Sequence, residues 1–304
     1  MIVLDSLFPV FALILLGIVL KRYRFTSDSF LQCSDKLIYY ICFPVMLFWK
    51  IGGASFGGTI DWTFCLVTLG VVCFMFLLST IVLKLFGITD YQAGSFSQSC
   101  YRFNTYIGVA VVLNAFGEEG LAIFGVVIGL VIPTINVFAV SLLIWYSGQE
   151  LSSRERAKTL LRALAANPLI IGCMSGILYS RFIGVFPRFL DNTLSLLSMV
   201  TLPMALLSIG GALTFGGMKK HLSASMLAAF LKLLVLPVLG YLAYSLFSVG
   251  GLPFKVGMIF FSLPASTAIY VLSSQLNSDT ELASSAIVLS TIVSCISLSI
   301  ALLL

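Results

Sequence analysis

The sequence predicts an all-α polytopic membrane protein whose ten spans form a 5+5 inverted repeat, and three observations carry that prediction. The first is composition: of 304 residues, 60% are hydrophobic and only 10% charged, with a mean hydropathy of +1.10. A soluble domain carries about a quarter charged residues, so this chain cannot cover a water-facing surface. The second is the length of the apolar runs. They match the roughly 20 residues a helix needs to cross a bilayer and lack the alternation of a barrel strand. The third is an internal repeat. "GIVLKRYRF" at Gly17 resembles "GILYSRFIG" at Gly176, and "CFPVMLFWKIGGA" around Pro44 resembles "TLPMALLSIGGAL" around Pro203. Gly17 to Gly176 and Pro44 to Pro203 share one offset of 159 residues. Five spans per half is an odd number, so the second half enters the membrane from the opposite face.

Apolar runs between polar punctuation place the spans at 2–20, 31–50, 62–86, 92–116, 120–146, 166–183, 192–213, 223–248, 253–276 and 281–304. Residues 1–148 form the first repeat, 149–165 a cytoplasmic linker and 166–304 the second repeat. The first run is followed, not preceded, by "KRYR" and has no small-residue cleavage site, so it reads as a retained span. Asp5 lies within a turn of its outer end and is solvated there. Asp35-Lys36 opens the second span as an interfacial pair. The fourth span is the least apolar in its first half, "DYQAGSFSQSCYRFNTY", and turns greasy only after Ile107. The fifth contains "IPTINVF", where Pro133 introduces a kink and Thr134 and Asn136 either line a site or bridge helices. Lys232 stands mid-way along the eighth, a costly place for a cation in lipid. It faces a cavity, snorkels or caps a neighbouring break. The ninth, "GMIFFSLPASTAIYVL", has Pro264 at its centre.

Cations concentrate in the loops after spans 1, 5 and 7: Lys21, Arg22 and Arg24; Arg154, Arg156, Lys158 and Arg162; Lys219 and Lys220. The alternate loops hold Lys50, Arg181, Arg188 and Lys255 beside Glu118 and Glu119. This bias puts both termini outside the cytoplasm of a cell-membrane protein. The net charge of +5 is therefore a topology signal and implies no nucleic-acid partner. The seven cysteines are scattered without a CxxC or Cys/His cluster, so they read as small buried apolar residues, with no metal or cofactor implied.

Carried along the chain, the repeat offset brings Asn104 next to Pro264, making spans 4 and 9 equivalent. Both carry helix breakers. Proline cannot donate a backbone hydrogen bond and clashes with the preceding turn, and Gly108 lets the chain leave helical geometry cheaply. Freed backbone groups are tolerated at membrane depth only where they line a cavity or are buried in protein.

At these residues the chain resembles the auxin efflux carrier family, which includes plant auxin exporters and bacterial carriers described as malate or malonate permeases. The resemblance covers essentially the whole chain. It rests on "RFNTYIG" in span 4, "KTLLRALAANPLIIGCMSGIL" entering span 6, "TLPMALLSIGGAL" in span 7 and "SLPASTA" in span 9. It implies a fold related to sodium/proton antiporters and bile-acid symporters, with helices 4 and 9 crossing as broken helices. It also implies a scaffold of helices 1, 2, 6 and 7 that makes a homodimer, and a transport domain of helices 3–5 and 8–10. The plant exporters have a proline shortly after the break and a long loop after span 5. This chain has neither, which weighs against auxin as its substrate.

With breaks at these positions, half-helices start near Thr105–Gly108 and Ala265–Thr267. Their free N–H groups and partial positive charge favour an anion. Ser266 and Thr267 either cap the second half-helix or donate to a ligand. Asn104 either presents amide donors to a carboxylate or satisfies freed backbone groups. Arg102 either neutralises a bound carboxylate or holds the carbonyls that end the first half-helix. The candidate substrate-binding residues are thus Arg102, Asn104, Thr105, Gly108, Asn136, Pro264, Ala265, Ser266 and Thr267. The apolar cores of spans 4, 5 and 9 hold no Asp or Glu, which argues against cation exchange. The only histidine, His221, sits in a loop, so an intramembrane nucleophile and base are not assembled and an enzyme is not expected. The expectation is an elevator-type secondary transporter for a small organic anion, a mono- or dicarboxylate. The alternative is a membrane sensor or scaffold that binds the same ligand without moving it.

Overall fold

The computed structural model describes residues 2–53, 61–146, 155, 158, 167–213 and 220–304. Ala54, Lys219 and the 149–165 linker (Glu155 and Lys158 excepted) lie outside the described residues, together with positions 159–166 of the motif entering span 6. Helices fill the ranges read as spans. In chain order they are α1 (Ile2–Arg22), α2 (Asp28–Leu37), α3 (Phe43–Gly52), α4 (Trp62–Leu85), α5 (Asp90–Tyr101), α6 (Thr105–Tyr146), α7 (Pro168–Phe182), α8 (Arg188–Ala212), α9 (Leu222–Phe230), α10 (Leu236–Leu246), α11 (Gly251–Ser262), α12 (Ala268–Gln275) and α13 (Thr280–Leu303). Among the described residues, six stretches are long and apolar enough to cross a membrane: Val3–Arg22, Trp62–Leu85, Thr105–Tyr146, Arg188–Ala212, Leu222–Leu246 and Thr280–Leu303. α7 and α11 are apolar but shorter. Among the described residues the β-structure is a single antiparallel bridge, Phe103 to Ala265.

α2 and α3 are joined by a π-helical turn, Ile38–Cys42, and α9 and α10 by another, Leu231–Val235. Each is followed by a helix with proline at its second residue, Pro44 and Pro237. A proline ring clashes with the carbonyl four residues back and offers no N–H, and a widened turn before it relieves both problems without ending the helix. α6 runs through two predicted spans. They meet at Gly117, whose φ of 64° and ψ of −153° no side chain tolerates well, and the helix kinks there between its two halves.

The chain divides into two compact units, residues 1–62, 106–130 and 165–213 forming the first and 63–105, 131–164 and 214–304 the second. In the first, α1 packs on α8 and α3 on α7. Both contacts are glycine-mediated close approaches. A Cβ at Gly17 would strike the Leu207 carbonyl and crowd Gly210, and one at Gly176 would crowd the Phe48 carbonyl and Ile51. Phe48 and Ile51 precede Leu207 and Gly210 by the same 159 residues that separate Gly17 from Gly176. The offset seen in the motifs thus relates two helix contacts as well. The first unit also pairs Lys50 with Glu118, and the Trp49 indole donates to Asp191 at 2.6 Å. Asp35 accepts from Ser208 rather than pairing with Lys36.

The second unit holds both interruptions and, from the first interrupted helix, the part up to Thr105, whereas residues 106–130 belong to the first unit. α5 contacts α12 and α13, and α11 contacts α10 and α13. Ser95 of α5 bonds Ser273 of α12 at 2.8 Å and Ser278 at 3.0 Å, and Ser278 donates to the Tyr91 carbonyl. His221 is buried at the start of α9, with Nε2 3.3 Å from Glu281 and Nδ1 3.7 Å from Asp279. All seven cysteines are free thiols, but Cys33 and Cys295 are exposed rather than buried. Apolar residues of a membrane chain face lipid as readily as protein, so apolar character did not predict their burial.

Candidate functional site

α5 is built from small and polar residues, "DYQAGSFSQSCY", and Ala93 to Tyr101 are all buried. A helix this polar is stable at depth only because hydroxyls return to its own backbone or to neighbours: Ser99 to the Ser95 carbonyl, Ser97 to Ser79. It stops at Tyr101, where Arg102 turns extended (φ −76°, ψ 134°). α11 stops the same way at Leu263 (φ −67°, ψ 145°), just before Pro264. The two extended stretches then satisfy each other. Asn104 N–H donates to the Pro264 carbonyl at 2.9 Å, within the Phe103–Ala265 bridge. Phe103 and Phe260 pack edge to face, with centroids 4.5 Å apart. The Ala265 N–H donates to Ser290 Oγ of α13 at 3.1 Å.

Arg102 is 8% exposed, and side-chain amides hold its guanidinium: Nη1 donates to Gln98 Oε1 at 3.1 Å and Nη2 to Asn136 Oδ1 at 2.8 Å. Asn136 is carried by the second half of α6, beyond Pro133, next to an aromatic wall. Phe138 stacks on Phe76 at 4.2 Å, and both meet Tyr101 edge-on. The bridging role of Asn136 is therefore to the break residue itself. A different cation takes the carbonyl at the end of α5: Lys232 Nζ lies 3.5 Å from Tyr101 O.

The structure brings Arg102, Asn104, Asn136, Pro264 and Ala265 together in the second unit. Thr105 is half-buried and opens α6. Gly108, expected to unwind the chain, is instead buried inside α6. The break needs only Arg102, Phe103 and Asn104, because the facing strand accepts the hydrogen bond that a longer unwound segment would have had to find. The Ala268 N–H donates to Ser266 Oγ at 3.3 Å, so Ser266 caps α12. Thr267 makes no such cap. Sequence reasoning missed Gln98 and Ser290. Gln98 sits four residues before Arg102, one helical turn, and that spacing was a usable signal. Ser290 had none, since a hydroxyl in a span normally bonds its own helix.

Among the described residues, several helices long and apolar enough to cross a membrane, together with two interruptions that meet beside a buried cation, define a multi-pass membrane protein with features that suit transport. The comparisons agree. The family described as membrane transport protein, that of the auxin efflux carriers, matches residues 2–302, and the chain belongs to it. An uncharacterized transporter of Methanocaldococcus jannaschii is 27% identical, over 96% of this chain and 95% of its own. An uncharacterized transporter of Methanothermobacter thermautotrophicus is 25% identical, over 97% and 95%.

Proposed function

We propose that the protein is a secondary carrier for a small organic anion, a mono- or dicarboxylate, bound where the two interrupted helices meet. One observation carries the reading: the Phe103–Ala265 bridge sets a buried, amide-held guanidinium beside the starts of two helices, α6 at Thr105 and α12 at Ala268. A helix start offers unsatisfied N–H groups and partial positive charge, and a guanidinium adds a full charge in a form that suits a carboxylate. In this reading Arg102, Asn104 and Thr105 face the anion from the first break, and Pro264, Ala265 and Thr267 shape the second. Asn136 holds Arg102 in place, Ser266 caps α12, and Gly108 drops to a packing residue.

Alternating access of the elevator type follows, with the second unit as the moving body, since it carries both interruptions. The shared offset of the glycine contacts supports an inverted repeat, and the homodimer and the extracytoplasmic termini complete the proposal. Purified protein in liposomes loaded with labelled malate, malonate or indole acetate tests the central claim. Exchange of a labelled anion that stops in Arg102→Met supports it. Tight binding of an anion without any exchange overturns the carrier and leaves a sensor.

A further inference from the structure

Lys232 is wholly buried, and the Tyr101 carbonyl, 3.5 Å away, is its one hydrogen-bond partner among the described residues. An ammonium has three donors, and this single contact is at the long limit of a hydrogen bond. No carboxylate among the described residues lies within 4.0 Å of it, the ion pairs there joining Lys50, Lys220 and His221 to their partners. Burying a cation with so little compensation is strongly unfavourable, and an apolar side chain at this position would avoid the cost. The turn that carries it, Leu231–Val235, is π-helical and contacts α5, α9, α10, α11 and α13. The acids of those helices, Asp90 of α5 and Glu281 of α13, lie in the first turns. Lys232 meets instead the last residue of α5, about 16 Å of helix from Asp90. Arg102 is the next residue in the chain. Two buried cations therefore flank one helix end, where the dipole welcomes one positive charge and leaves the second to be matched.

We infer that Lys232 is the charge-selectivity residue of the anion site proposed above: it positions the end of α5 through the Tyr101 carbonyl and supplies a second positive charge that favours dianions over monoanions. The inference rests on that reading of the site, and the tests keep the two apart. A Coulombic contribution scales with ligand charge, so its loss enters twice for a dianion. The probes are malonate, as its dianion, and monomethyl malonate, titrated into the nanodisc-embedded protein. If Lys232→Met weakens the monoester about 5-fold, malonate weakens about 25-fold. A purely structural role weakens both by one factor, and that result overturns the inference. Lys232→Gln keeps hydrogen-bond donors without charge and is expected to lose the same selectivity; wild-type selectivity in it also overturns the inference. Hydrogen exchange needs no ligand. The Asn104 amide is expected to exchange at least about tenfold faster in Lys232→Met than in wild type. Unchanged exchange overturns the positioning role even where neither probe binds the wild-type protein, a result that would count separately against the anion reading.

Discussion

The two interruptions do the same thing to the backbone by different means. Both end a helix by turning one residue extended, and each supplies one side of the bridge. The first is three residues long and polar, and its side chains are fixed by other side chains: Arg102 by Gln98 and Asn136. The second, Leu263 to Thr267, has no charge. Its fixed points are backbone atoms, the Pro264 carbonyl taken by Asn104, the Ala265 amide taken by Ser290 and the Ala268 amide taken by Ser266. One break is therefore a source of charge and the other a shaped backbone floor. Substitutions at the first should change what binds, and substitutions at the second should change how firmly the structure holds.

The largest expected effect is at Arg102. Arg102→Met removes the full positive charge and leaves the oxygens of Gln98 and Asn136 buried without their donor, a loss of roughly 1–3 kcal/mol for each such group. Anion binding should weaken by about 100-fold or more, with exchange lost, as measured by titration and by liposome counterflow. Near-wild-type affinity would move the charge-bearing role elsewhere and dissolve the contrast between the breaks. Asn136→Leu comes next. It keeps the cation but frees it from one anchor, so about tenfold weaker binding is expected, corresponding to about 1.4 kcal/mol. An effect equal to that of Thr134→Ala would show that the anchor does not matter.

Ser290→Ala tests the other break. It strips the acceptor from the Ala265 N–H, and an unsatisfied buried donor costs about 1–3 kcal/mol. The melting temperature should fall by several degrees in a scanning assay while the dissociation constant stays within about twofold. If affinity falls instead and the melting temperature holds, the second break is part of the ligand surface and the division of labour is wrong.

How much of this was legible in the sequence follows the same division. The first break announces itself because Arg102 and Asn104 are expensive in an apolar stretch, and the second because Pro264 cannot sit quietly in a helix. The repeated motifs stand out because Gly17 and Gly176 sit where two helices approach closely. What escaped was the particular backbone atom each polar side chain ends on. The Tyr101 carbonyl that receives Lys232 and the Ala265 amide that uses Ser290 have no residue-specific signature, and their partners lie 131 and 25 positions away. Gly108 misled for the opposite reason. Glycine permits unwinding, but whether the chain unwinds there depends on where the freed hydrogen bonds can go. Asn104 had already found Pro264 four residues earlier. The π-helical turns were hidden because proline signals trouble without saying whether the helix kinks, stops or widens.

The smallest expected effect separates the two readings left open for Ser266. Its hydroxyl accepts from the Ala268 amide at 3.3 Å, and α12 is only eight residues long, so the cap is one of few local supports for that helix. Loss of such a cap costs about 0.5–2 kcal/mol, and the long distance puts this one at the low end. Ser266→Ala should therefore lower the melting temperature slightly and leave anion affinity unchanged, and Ser266→Asp should recover the stability by offering a carboxylate acceptor to the same amide. The same Asp substitution also places a negative charge beside the proposed anion site. If Ser266 only caps, a restored melting temperature will come with weakened anion binding, because the repulsion acts through space on a ligand held by Arg102. If stability is restored and affinity stays at the wild-type value, no anion binds near α12, and the charge supplied by the first break serves some other purpose.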